Sequence, residues 1–187
     1  MEKLEIERRF LLKNMPDASG MSESYIRQIY AEYISKDEMI ILKESQINIG
    51  RIPLPKRTGI IRIRETDKDL IEVNFKWPSG MYRMEIESKV ALTHELSQLI
   101  ESDERKIEKM RYTTAFENHT LFYDIFKGRY DGIFIKEAEF SSISYARNYL
   151  PDSSDREIFP SHNLSNKDMY ISSSDEIFTR IVKLFDI

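Results

Sequence analysis

Residues 4–10 read Leu4-Glu5-Ile6-Glu7-Arg8-Arg9-Phe10, and their alternation sets the fold class. In an extended strand successive side chains point to opposite faces. Glu5, Glu7 and Arg9 therefore share one face, and Leu4, Ile6 and Phe10 the other, with Arg8 as the exception. Working outward, the same two-faced pattern predicts strands near residues 3–12, 25–34, 59–66, 69–77, 81–90, 106–115, 120–127 and 132–140. Turn-forming stretches separate them, among them Thr66-Asp67-Lys68-Asp69, Pro78-Ser79-Gly80 and Asp131-Gly132. Thr93 is placed to cap a helix running to about Ser102, with Leu96, Leu99 and Ile100 as its apolar stripe. Ser173 and Glu176 stand in capping-box spacing ahead of Ile177, Phe178, Ile181 and Val182. A shorter helix is expected around residues 143–149, and residues 43–58, with Gly50, Pro53 and Pro55, read as a long loop.

Charged residues recur on one side of these strands. Arg62 and Arg64 share a face, with Ile61 and Ile63 behind them. Glu72, Asn74 and Lys76 oppose Ile71, Val73 and Phe75, while Arg83, Glu85, Glu87 and Lys89 oppose Met84, Ile86 and Val90. Lys109 and Arg111 are two apart, Asp124 follows, and Glu137 and Glu139 share a face. For any one strand the ordinary explanation is a solvated outer face. Jointly the pattern differs, because Glu-x-Glu occurs at 5/7, 85/87 and 137/139 and a basic pair at 62/64 and 109/111. Like charges two apart on a strand repel, and Thr or Ser would serve a solvated face without that cost. Counter-ions of both signs relieve the repulsion: carboxylate pairs can hold a divalent cation, and basic pairs a polyanion. The arrangement expected from the residues inverts a normal barrel, with polar residues lining the interior and the apolar faces turned outward to be covered by the amphipathic helices.

The chain of 187 residues carries 28 Lys and Arg against 32 Asp and Glu, a net charge of −4, with three His and no Cys. Zero Cys excludes disulfides and thiolate chemistry, so any metal must be bound by oxygen, which favours Mg²⁺ or Mn²⁺. Mild acidity argues against a general nucleic-acid binder. The charged start, Met1-Glu2-Lys3-Leu4-Glu5, lacks the apolar run of a signal peptide, and no stretch approaches a membrane span. A single domain over residues 1–187, cytoplasmic and without a membrane partner, is expected, and a homodimer is compatible with the sequence. His94, His119 and His162 lie near turns or a helix start, and Ser172-Ser173-Ser174 reads as a helix cap.

The stretch Glu5-Ile6-Glu7-Arg8-Arg9-Phe10-Leu11 resembles the N-terminal Glu-x-Glu-x-Lys signature of the CYTH superfamily, the triphosphate tunnel metalloenzymes. The resemblance continues in order through Ile26-Arg27-Gln28-Ile29-Tyr30, Arg62-Ile63-Arg64, Asn74-Phe75-Lys76, Arg83-Met84-Glu85-Ile86-Glu87, Lys109-Met110-Arg111-Tyr112, Tyr123-Asp124-Ile125-Phe126, Glu137-Ala138-Glu139-Phe140 and Lys167-Asp168-Met169-Tyr170. It implies an α+β fold, an eight-stranded antiparallel closed β-barrel or tunnel with a polar, charged interior and helices packed outside, binding a triphosphate with one or two metal ions. Glu5 and Glu7, with Glu137 or Glu139, would be metal ligands, and Asp124 a further candidate. Arg9, Arg62, Arg64, Lys76, Arg83, Lys109 and Arg111 would bind phosphate, supported by Glu85 and Glu87. The signature's Lys is Arg9 here, and arginine stays protonated, so Arg9 can clamp an anion but not act as a general base.

The activity so implied is metal-dependent hydrolysis of a triphosphate, inorganic tripolyphosphate first, with Glu139, Glu137 and Arg9 nearest the chemistry. Class IV adenylate cyclase, thiamine triphosphatase and a non-catalytic polyphosphate-binding module are the alternatives. A thiamine substrate would call for a stacking aromatic, for which Trp77, Tyr82 and Tyr170 are candidates. Arg51, Lys56 and Arg57 read as a solvated basic loop.

Overall fold

The computed structural model describes residues 2–54, 56–79 and 82–185, without the side chains of residues 2, 3, 77–79 and 82–84. Its strands are β1 (Glu2–Glu5), β2 (Glu7–Leu12), β3 (Ser22–Lys36), β4 (Met39–Leu42), β5 (Asn48–Arg51), β6 (Thr58–Thr66), β7 (Leu70–Ser79), β8 (Tyr82–Val90), β9 (Ile107–Ala115), β10 (His119–Lys127), β11 (Phe134–Phe140) and β12 (Arg156–Glu157). Its helices are α1 (His94–Ser102), α2 (Ile143–Asn148), α3 (Asn166–Ile171) and α4 (Ser174–Phe185). No helix among the described residues is long and apolar enough to cross a membrane.

The strand order is β1-β8-β7-β6-β3-β9-β10-β11-β2-β12, with β4 and β5 attached through β3. This order has two ends, so the expected closed barrel of eight strands is corrected to a twelve-stranded antiparallel sheet that does not close. The reason lies in the opening stretch. The strand expected over residues 3–12 is interrupted at Ile6, and its first half neighbours β8 while its second neighbours β11 and β12. Residues 43–58 are not all loop either, since β5 pairs with β4, and Ile49 of β5 is buried, as are Ile40 and Leu42 of β4.

The chain divides into two compact units, the first built from Met1–Leu4 and Ile26–Lys106, the second from Glu5–Tyr25 and Ile107–Ile187. In the first unit the register aligns Ile29, Ile63 and Val73 on one side of the sheet, where Ile61, Ile71, Phe75 and Ile86 are also buried. Burying each such side chain contributes about 1.5–3 kcal/mol. At Gly59 a Cβ would crowd the Tyr33 ring at 3.2 Å and the Phe75 ring at 3.4 Å, so a larger residue needs these rings to give way. Thr93 caps α1 as expected, accepting from the Leu96 amide at 3.2 Å, and Leu96 and Ile100 are the buried residues of the helix. Arg27 ties α1 to the sheet by donating to Glu65 at 2.6 Å and to Glu101 on the helix.

In the second unit one buried cluster joins Phe10, Leu12, Leu121, Ala138, Phe140 and Ala146, with Ile6, Tyr123, Phe134 and Tyr149 packed on it. Arg8, the exception in the alternation, is accounted for on this apolar side. Its guanidinium forks onto Glu157 of β12 at 2.7 and 2.8 Å and donates to the Ala146 and Tyr149 carbonyls at the end of α2. Lys136 shares that side, 5.0 Å from the Phe10 ring, with Asp155 as its ion-pair partner. Burial alone would lower the Lys136 pKa, but the Asp155 hydrogen bond together with the charges and hydrogen bonding of Tyr149 and Asp155 outweighs it, and the ammonium titrates above its usual range. The capping box Ser173/Glu176 opens α4, and a second one, Ser165/Asp168, opens the unpredicted α3.

Candidate active site

The polar side of the second unit is built from β2, β9, β10 and β11. Antiparallel register sets Glu7 opposite Glu139, Arg9 opposite Glu137, and Arg111 opposite Asp124. Glu5, just before the break at Ile6, joins Glu7 and Glu139, so that one carboxylate oxygen from each lies within 4.8 Å of the others. Three carboxylates at this spacing fit a hard divalent cation, whose ligand oxygens belong at roughly 2.0–2.6 Å from the ion.

Beside this triad runs a chain of charge-assisted hydrogen bonds. Lys109 Nζ donates to Asp124 Oδ2 at 2.5 Å, and Arg111 holds both Asp124 oxygens at 2.7 Å. Arg111 also donates to Glu137 Oε2 at 2.5 Å, and Arg9 Nε donates to Glu137 Oε1 at 3.0 Å. Burial would push the Asp124 carboxyl up, but Arg111 and then Lys109 outweigh it and hold the group below the usual carboxylate range. Arg111 is pulled upward by Asp124 and Glu137 against its own desolvation, and remains a fixed cation. Its guanidinium lies 4.6 Å from the Phe122 ring centre, and Lys109 5.5 Å from that of Phe126. Arg9 Nη1 donates to the Leu164 carbonyl at 3.1 Å, whereas Nη2 is buried and has no hydrogen-bond partner.

The structure therefore separates the acidic candidates. Glu5, Glu7 and Glu139 come together, whereas Glu137 and Asp124 are held by cations. The two residues of the Glu137/Glu139 pair thus have different surroundings: a guanidinium on each oxygen of Glu137, and two further carboxylates around Glu139.

The first unit carries its own polar row. Arg62, Asn74 and Glu87 stand opposite one another across β6, β7 and β8, as do Lys76 and Glu85. Asn74 is the hub: it accepts from Arg62 Nε at 3.1 Å and donates to Glu85 at 2.7 Å and Glu87 at 3.0 Å. Arg62 also reaches Glu85 at 3.2 Å, Lys76 lies 3.5 Å from Glu85, and Arg64 lies 3.7 Å from Glu72. Sequence reasoning placed Asn74 on this face but assigned it no role; a carboxamide among charges, able to donate and accept at once, is the signal that identifies it. Gln28, opposite Arg64 and fully buried, was likewise unassigned.

The side chain of Arg83 lies outside the described residues, as do those of Trp77 and Tyr82. Tyr170 is buried at 3% exposure within the second unit, which removes it as a stacking surface there. His119 stacks on Phe116 at 4.8 Å, and His162 accepts from the Phe159 amide. Arg51, Lys56 and Arg57 are exposed.

Comparison with solved structures agrees with this architecture. Two crystal structures of NE1496 align, one described as a hypothetical protein and the other as an inorganic triphosphatase. The TM-scores are 0.56 and 0.55, with 21% and 20% identity, covering 90% of this chain and 99% and 98% of those. The chain has the CYTH, or triphosphate tunnel, fold. PH1012 from Pyrococcus horikoshii OT3 aligns at a TM-score of 0.47 and 15% identity, covering 76% of this chain and 83% of that one. No protein-family model and no curated protein matches the sequence. The likeness to NE1496 establishes the CYTH fold alone; the chemistry has to be argued from the residues.

Proposed function

We propose that this protein is a metal-dependent hydrolase of triphosphates, with inorganic tripolyphosphate as its first substrate. The observation that carries the reading is the second unit's polar side, where the Glu5/Glu7/Glu139 cluster shares a sheet face with Arg9, whose buried Nη2 donates to nothing. A buried, unsatisfied cationic donor costs about 1–3 kcal/mol or more, a cost that an anionic ligand oxygen removes. NE1496, with the same fold, is described as an inorganic triphosphatase, which supports the reading.

Glu5, Glu7 and Glu139 would hold Mg²⁺ or Mn²⁺, which polarises phosphoryl oxygens and offsets charge developing on them. Among the described residues this face brings Arg9, Lys109 and Arg111 together with Glu5, Glu7, Asp124, Glu137 and Glu139. Asp124 and Glu137 act as positioning residues, fixing Lys109, Arg111 and Arg9 so that their remaining donors are oriented before the substrate arrives. Glu137, taking hydrogen bonds from two guanidiniums, is a weak base, and Glu139 is the better candidate to orient the attacking water. Arg62, Arg64 and Lys76 are assigned to phosphate binding from their place in the first unit's row.

The test is purified protein with tripolyphosphate, ATP or thiamine triphosphate in the presence of Mg²⁺ or Mn²⁺, with the products separated. Orthophosphate and pyrophosphate from tripolyphosphate are expected, and chelation should abolish their release. Cyclic AMP from ATP, or metal-dependent binding without phosphate release, would overturn the proposal.

A further inference from the structure

The helix α4 buries Ile177 and half-buries Ile181 and Leu184 on its inner side. Its opposite side carries a shallow groove lined by Asp175, Phe178, Thr179, Val182 and Lys183. Phe178 is 39% exposed and Val182 57%. Standing at i and i+4, they form one apolar row along the helix. A lone exposed apolar residue is ordinary on a protein surface, whereas this row has neighbours that specify what lies on it.

Those neighbours are Asp175, Thr179 and Lys183, a second row beside the first at the same four-residue spacing. Asp175 lies in the first turn and Lys183 in the last, about 12 Å apart along the axis, too far to pair with each other. Both are exposed, and among the described residues neither has an ion-pair partner. Opposite charges at the two ends of one face complement that same face turned end to end. A uniformly basic or uniformly acidic partner would meet a like charge at one end.

The spacing fixes the register. A second copy lying antiparallel, with a twofold axis level with Thr179, sets Asp175 opposite the copy's Lys183 and Lys183 opposite its Asp175, because Thr179 is midway between them. The apolar row fits the same axis. The midpoint of Phe178 and Val182 is one residue further, about 1.5 Å along the helix, so each Phe178 packs against the copy's Val182. A helix of 12 residues spans about 18 Å. Contact over that length is smaller than the ~1,200 Å² at which stable complexes begin, so the association is weak and concentration-dependent.

We propose that the outer face of α4 is a homodimerisation surface, on which a second copy of this chain lies antiparallel with Asp175 and Lys183 paired reciprocally across a twofold axis. The inference is independent of the triphosphate reading.

The experiment is sedimentation equilibrium of the intact protein from about 10 μM to about 1 mM, a span that brackets weak association. The samples are the wild type, Asp175→Lys, Lys183→Glu and an equal mixture of the two variants. The wild type should pass from monomer toward dimer across this range. Each variant alone sets like charges against each other at both contacts, so its dimer should be at least about 10-fold weaker. The mixture restores opposite charges at both contacts, and a heterodimer should form within about threefold of the wild-type constant. Melting temperatures of the two variants should stay close to that of the wild type, because both side chains are exposed. A wild type that stays monomeric at the highest concentration, a dimer unaffected by either variant, or a mixture no more associated than its components would overturn the proposal.

Discussion

The two units use the same alternation to make polar faces of different character. In the second, cations and carboxylates interlock at 2.5–3.0 Å, with Asp124 at 1% exposure and Lys109 at 0%, next to a separate cluster of three carboxylates. In the first, the contacts are longer, up to 3.7 Å for Arg64 and Glu72, and a neutral carboxamide, Asn74, sits at the centre. Arg62, Asn74 and Glu85 are as buried as Arg9, Arg111 and Glu137, so the difference teaches that the closeness of the pairing, more than burial or charge count, separates a tight charged hub from a looser row. Buried ion pairs are costly to break because the surviving partner is left uncompensated, and a longer pair that is less fully buried, such as Arg64 with Glu72, loses less.

The largest effect should come from the carboxylate cluster, where Glu7→Gln or Glu139→Gln is expected to preserve the melting temperature and lower tripolyphosphate turnover by orders of magnitude. Unchanged metal-dependent turnover in either variant would erase the functional side of the contrast. Next comes Asp124→Asn, which leaves Lys109 and Arg111 without their shared anion and should destabilise the protein by about 3–5 kcal/mol, read by denaturant unfolding. In the first unit, Glu85→Gln, which weakens contacts to Arg62 and Lys76, should cost about 1–2 kcal/mol. Glu72→Gln should cost about 0–1 kcal/mol. If the first-unit variants proved as damaging as Asp124→Asn, the distinction between hub and row would fail.

The pH dependence follows the same line. Because the Asp124 carboxyl titrates below its unfolded value, its contribution is fully present above about pH 3.9 and is lost as pH falls through the lower folded value. The melting temperature should therefore drop on acidification below about pH 4, and Asp124→Asn should lack that part of the drop. An acid profile identical in both proteins would remove Asp124 as its source.

Much of this was legible in the residues. Period-two alternation located the eight expected strands, and the register then placed Glu7 beside Glu139 and Arg111 beside Asp124. What alternation could not convey was the interruption at Ile6, since a break of one residue leaves the pattern of Glu5, Glu7 and Arg9 intact while changing the neighbours of each half. Nor could it tell Glu137 from Glu139, which share a face and differ only in cross-strand partners, Arg9 for one and Glu7 for the other. The two-residue β12 and six-residue α3 are too short to impose a period at all. The gripping role of Arg8 depends on Glu157, 149 positions away.

Arg8 and Arg9 are consecutive, yet one secures the helix on the apolar side and the other reaches into the polar cluster. Side-chain direction flips with every residue along β2, so the reading frame of this strand is itself a constraint on mutation. A single-residue insertion or deletion between Glu7 and Phe10 would send Arg8 and Phe10 to the wrong sides together, dismantling the α2 anchor and the acidic cluster in one step. Substitutions here are local lesions, whereas length changes are not, and the tolerance of β2 to the former should far exceed its tolerance to the latter.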